Sequence, residues 1–137
     1  MSVVTAIYNA PIANKIIDVT HNTVQVNINY NGKSYIGIAR LHPNDKEFFS
    51  RKVGYNIALS RARLSAMKAE LKAARIEFDR RYDFYQEITG YGKFSPAEVD
   101  PTGRVYYGIT RLFQRTTQLK KAIKKEENSL RMYLQGQ

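Results

Sequence analysis

Tyr107, Arg111 and Arg115 recur at four-residue intervals, so on a helix they share one face. Two arginines a turn apart can grip one phosphate, or two linked phosphates, through forked charge-assisted bonds. An aromatic ring beside them can stack on a base. On an earlier helical segment Arg61 and Lys68 stand seven residues apart, near enough in angle to support one another, and Arg63 flanks them. Phe84 falls off the apolar stripe of that segment, and Phe94 follows in the next loop. Such a ring is a candidate base platform; the alternative is packing under the loop or in a subunit interface. Lys120, Lys121, Lys124 and Lys125 form a run that reads as a solvated face or as a nonspecific polyanion contact.

The catalytic inventory is poor. His21 and His42 sit in turns, 21 residues apart, without a metal-ligand spacing. No serine lies in a GxSxG elbow, and the glycines at 90, 92 and 103 form neither a dinucleotide fingerprint nor a P-loop. Glu126 and Glu127 are neighbours on a helix and point to different sides, so they make no carboxylate dyad. There is no cysteine, which excludes disulfides, thiolate metal sites and thiol nucleophiles. The expectation is a binding protein, not an enzyme, with no cofactor and no metal. A hydrolase would have to rely on the two histidines and the tyrosines.

Charge is uneven along the chain. Twenty-two basic and 12 acidic residues give a net charge of +10 over 137 residues. Residues 1–50 carry four basic and three acidic side chains, and residues 51–137 carry 18 and nine. The positive field therefore belongs to the second part, where it attracts nucleotides, nucleic acid or another polyanion, or simply solvates helices. No apolar run approaches the roughly 20 residues that cross a bilayer. Residues 1–8 lack the basic start and apolar run of a signal peptide.

These side chains need elements to position them. The spacing predicts an α+β fold in a single domain over 1–137: a small N-terminal antiparallel sheet over 1–45, then a helical hairpin over 46–137 with a connecting loop at 87–104. Residues 2–8 read as a short first strand, stopped by Pro11. Val24, Val26, Ile28 and Tyr30 alternate with polar residues as in a half-buried strand. Asn31-Gly32 then predicts a two-residue hairpin, pairing Tyr30 with Lys33, Ile28 with Tyr35, Val26 with Gly37 and Val24 with Ala39. Small residues at 37 and 39 would admit a helix close to the sheet. His42-Pro43-Asn44-Asp45 reads as the turn that ends the hairpin.

The first long helix is expected from about Gly54 to Gln86, or from near Asp45 with a break, with the stripe Ile57, Leu64, Met67, Leu71, Ala74, Phe78, Tyr82 and Tyr85. The second is expected from Val105 to Leu134, with the stripe Ile109, Leu112, Phe113, Thr116, Leu119, Ile123, Leu130 and Tyr133. Helices of this length outrun a small sheet, which predicts a homo-oligomer built through the wet distal turns.

The stretch 30–39, the His-Pro-Asn-Asp turn at 42–45 and Gly-Tyr-Asn-Ile-Ala-Leu-Ser-Arg-Ala at 54–62 together resemble the Thoeris anti-defence sponges of the first type. These are small phage proteins acting in the host bacterial cytoplasm. The likeness spans about residues 23–65 by motif and the rest by layout. It implies binding of a cyclic ADP-ribose isomer made by a TIR-domain enzyme, without cleavage, in a dimer or hexamer. Some hexameric members also take cyclic di- or trinucleotides. It implies an interfacial pocket in which Arg111 and Arg115 match the paired arginines and Phe84 the stacking ring. Arg61, Phe94 and Tyr107 join the candidates on the face argument alone. The alternative is a basic nucleic-acid-binding or nuclease-inhibiting phage protein, although no helix-turn-helix, zinc-finger or RNP pattern is present.

Overall fold

The computed structural model describes residues 2–18, 20–40 and 51–136. The order is α1 (Val3–Tyr8), β1 (Ile12–Asp18), β2 (Thr23–Tyr30), β3 (Lys33–Arg40), α2 (Arg51–Ile88), α3 (Pro96–Val99) and α4 (Arg104–Gln135). The fold is α+β: a three-stranded antiparallel sheet in the order β1-β2-β3, followed by two long helices packed on each other. His42 and the turn at 42–45, with the earlier helix start near Asp45, lie outside the described residues.

The hairpin has the register expected from its turn. Tyr30 pairs with Lys33, Ile28 with Tyr35, Val26 with Gly37 and Val24 with Ala39. Asn31 and Gly32 both take positive φ, as a tight two-residue turn between right-twisted strands requires. Val24, Val26, Ile28 and Ala39 are buried against Ala58, Ala62 and Ala66 of α2. At Gly37 the approach is closest: a Cβ there would stand 1.8 Å from the Ala58 carbonyl oxygen and 2.4 Å from the Ala62 nitrogen. Only a residue without a side chain fits between β3 and α2.

The N-terminal expectation is corrected. Residues 3–8 form a helix, not a strand. Ser2 caps it, accepting from the Thr5 N–H at 3.1 Å. Its β-branched residues favour a strand locally, but tertiary contacts prevail: Ile7 is fully buried in the core. The Tyr8 phenol donates to Glu126, and Ser60 donates to the other oxygen of that carboxylate at 2.6 Å. The Arg63 guanidinium lies 4.9 Å from the centre of the Tyr8 ring and donates to the Tyr8 carbonyl. The first strand is instead Ile12–Asp18, exposed on both faces along most of its length. Burial imposes no alternation on it, so its sequence carries none.

Both helices run slightly beyond their expected ends. At 1.5 Å per residue, α2 is about 57 Å long, against about 27 Å for an eight-residue strand. Distal apolar side chains are accordingly left uncovered. Tyr82 is not buried in the stripe; it is 44% exposed and stacks on Phe78 with ring centres 6.0 Å apart. Phe113 is 61% exposed beside Phe78, and Tyr85 meets Tyr106. Among the described residues no helix is long and apolar enough to cross a membrane.

Two outcomes test this packing. Gly37→Ala should cost about 2–3 kcal/mol or more, because backbone rather than a flexible side chain occupies the Cβ position; urea unfolding measures it. The Tyr8 phenol is held well above its ordinary value of 10.0, first by burial, then by its hydrogen bond to Glu126 and that carboxylate's charge, with Arg63 opposing. A raised pKa contributes stability that is intact below about pH 10 and is lost as pH climbs through the folded value. Tyr8→Phe should flatten this alkaline loss in unfolding measurements across that range.

Candidate anion-binding site

The first turn of α4 is closed by its own chain. Asp100, 9% exposed, accepts from the N–H groups of Val105 and Tyr106 at 3.3 and 3.1 Å. Its carboxylate occupies the end of the helix that would otherwise attract an anion. An external phosphate must therefore be held by side chains farther along α4.

Those side chains line a cleft of about 340 Å³ between α2 and α4. Arg111 and Arg115 come from one face of α4, as their spacing implies, with Tyr107 beside them. The Arg111 guanidinium lies 5.8 Å from the centre of the Tyr107 ring. Arg104 joins from the same face, seven residues before Arg111, and Arg81 enters from α2 above Gly108. Sequence reasoning passed over both. The heptad spacing could have found Arg104, whereas Arg81 becomes a neighbour only when the helices pack.

The charge balance of this cleft is one-sided. Arg81 is bonded to Glu77 at 2.9 Å, and the same carboxylate holds Arg80. These hydrogen bonds, Arg81's first, keep the Glu77 carboxyl below its usual range. Arg104, Arg111 and Arg115 have no carboxylate partner among the described residues. Arg115 also stands near Tyr30 at the hairpin end, where it opposes the upward shift that burial and Glu70 impose on that phenol. Neighbouring guanidiniums without counter-charge repel one another, and a bound anion relieves that repulsion.

The remaining candidates are placed differently. Arg61 donates to the Ile38 carbonyl at 2.6 Å, at the β3 side of α2, and does not line the cleft. Lys68 pairs with Glu127 at 3.1 Å, so it does not support Arg61. Phe84 is 51% exposed on the last turns of α2, off the stripe as expected. Phe94 is 53% exposed and folds back over Gly90, while its N–H donates to the Thr89 carbonyl. No ring contact joins Phe84 and Phe94 among the described residues. Arg111, Arg115 and Tyr107 are thus brought together, and Arg61, Phe84 and Phe94 lie outside the cleft lining.

His21 binds Asp18, ring nitrogen to carboxylate at 2.7 Å, in the exposed β1–β2 turn. Among the described residues no three His, Asp or Glu side chains are grouped to hold a metal ion. Glu126 and Glu127 do diverge, the first toward Tyr8 and Ser60 and the second toward Lys68.

Asp100→Ala should destabilise the protein by about 1 kcal/mol through loss of the α4 cap. Thermal unfolding reads that loss, and amide exchange should speed up at residues 105 and 106 first. Compared with family models, with curated proteins and with solved structures, the chain matches none.

Proposed function

We propose that this chain binds and sequesters a cyclic ADP-ribose-type signalling nucleotide without cleaving it, as a phage anti-defence protein in a host bacterial cytoplasm. The observation that carries the reading is the set of uncompensated guanidiniums of Arg104, Arg111 and Arg115 in one cleft beside Tyr107. A diphosphate supplies the missing charge, and a base has exposed rings within the same end of the hairpin. The resemblance in the hairpin and in the start of α2 points the same way. Sequestration needs tight holding and slow release, and neither an acid nor a base. The exposed aromatic turns of α2 and α4 support assembly as a homo-oligomer, a dimer or a hexamer. In a hexamer, cyclic di- or trinucleotides are further candidate ligands.

A second reading has its own observation. Lys120, Lys121, Lys124 and Lys125 have no carboxylate partner among the described residues, which suits a basic nucleic-acid-binding or nuclease-inhibiting protein. That reading predicts binding that weakens steeply with salt, at Lys120 and Lys121 and not at Arg111.

Calorimetric titration with a cyclic ADP-ribose isomer from a TIR-domain enzyme separates the two. Saturable binding is expected, with the ligand recovered unchanged after denaturation. Arg111→Ala combined with Arg115→Ala should weaken it at least about a hundredfold, since each bond to a charged group contributes about 1.5–3 kcal/mol. Absence of binding by folded wild-type protein, or recovery of a hydrolysed product, would refute sequestration.

A further inference from the structure

Arg111 and Arg115 are shared by two hollows. One is the cleft already described. The other, of about 250 Å³, lies farther along α4 over the same two guanidiniums, between α4 and the start of α1. Its walls are Ser2, Val3, Gln114 and Gln118. The two hollows differ in chemistry. The first is cationic and carries a tyrosine ring; beyond the shared arginines, the second has no charged and no aromatic lining among the described residues.

Gln114 and Gln118 stand one helical turn apart on α4. Neither amide makes a hydrogen bond among the described residues. Ser2 is already engaged, donating to Thr5 Oγ1 at 2.9 Å and accepting from the Thr5 N–H, so it shapes the wall. Each glutamine offers a carbonyl acceptor as well as two donors. A phosphate, being acceptor-only, would use the N–H donors and leave the carbonyls unmet. Sugar hydroxyls donate and accept, and a vicinal diol matches two amides one turn apart.

We infer that the site is bipartite: a diphosphate bridges Arg111 and Arg115, a base-bearing arm lies toward Tyr107 and Arg104, and a second sugar seats its hydroxyls on Gln114 and Gln118. This rests on the reading of the arginine cleft as a nucleotide diphosphate site and narrows it. The favoured ligand is a diphosphate flanked by groups on both sides, with a free sugar diol on the side away from the base. Nucleoside diphosphates ending at the phosphate leave the glutamines unused. A site built to hydrogen-bond hydroxyls discriminates against the ligand that lacks them.

The test titrates ADP and a cyclic ADP-ribose isomer into wild-type protein, a Gln114→Ala, Gln118→Ala variant and the Arg111→Ala, Arg115→Ala variant. Thermal melts check that each is folded. The expected result is that the glutamine variant binds the cyclic ADP-ribose isomer about tenfold more weakly, losing about 1.4 kcal/mol, while its affinity for ADP is unchanged. Equal losses for both ligands, or no loss for either, would overturn the sugar assignment and leave the arginine site standing. Wild-type protein that binds neither ligand, or ADP binding that survives in the arginine variant, would instead overturn the diphosphate reading and the sugar assignment with it.

Discussion

The contact between the β3 backbone at Gly37 and the α2 backbone at Ala58 and Ala62 sets the frame for everything else. With no side chain between them, the helix lies directly on the sheet, and Val24, Val26 and Ile28 fill the space on either side. That burial fixes the rotation of α2 about its axis. The rotation decides which α2 residues are left for α4: Met67 goes inward into the core that holds Leu119, Ala74 is buried farther along, and Arg81 emerges at the groove between the helices. The arginine cleft is therefore a downstream consequence of apolar packing 19 to 23 residues away along α2. Tyr8, Ser60 and Glu126 tie the end of α1 to α2 and α4 in one polar knot, and the start of α1 lies beside Gln114 and Gln118 of α4.

Folding does not require the cleft to be as basic as it is. Glu77 compensates Arg80 and Arg81, and Glu127 compensates Lys68, so the chain does place carboxylates where it stabilises its own cations. Arg104, Arg111 and Arg115 receive none among the described residues. Each is exposed, so the mutual repulsion is screened by water and costs little in the free protein. The same screening makes each guanidinium a modest anchor alone. Several aimed at one diphosphate, with a ring to support the planar cation, add geometric selectivity that scattered lysines do not.

The hairpin was the most legible part of the sequence, because Asn31-Gly32 dictates a turn and the turn dictates a register. Gly37 and Ala39 could then be read as a landing place for a helix. The arginine face was legible for the same reason: a four-residue spacing is a geometric statement once the segment is helical. What failed was local structure decided from far away. Residues 3–8 carry strand-forming side chains, yet Ile7 and Tyr8 are held in a short helix by the core and by Glu126. Ile12–Asp18 shows no alternation because neither face is buried. Tyr82 fits the apolar stripe but lies where the sheet has ended. Arg81, Gln114 and Gln118 had no signal, since polar residues on a helix become a site only when something packs opposite them.

One side of α4 is aromatic and the other carries the arginines. Phe113 follows Arg111 by two residues, which turns it about 200° around the helix. Tyr106, seven residues before Phe113, falls on that same far side, where Phe78 and Tyr82 of α2 extend the aromatic surface. A second copy that covered these rings would bury the apolar turns that the sheet leaves wet, and would leave the arginines open on the opposite side. Tight retention of a diphosphate asks for more, because exposed guanidiniums in water hold an anion weakly. Water must be excluded from the cleft itself. The loop at 89–103, with Phe94 folded over Gly90, and Phe84 at the end of α2 are the exposed elements at that end of the hairpin. On the proposed reading, their half-exposed rings, outside the cleft of a single chain, are the groups with which a neighbouring copy would close it. That would make the site and the oligomer one construction, with the aromatic face of α4 as a second and independent contact.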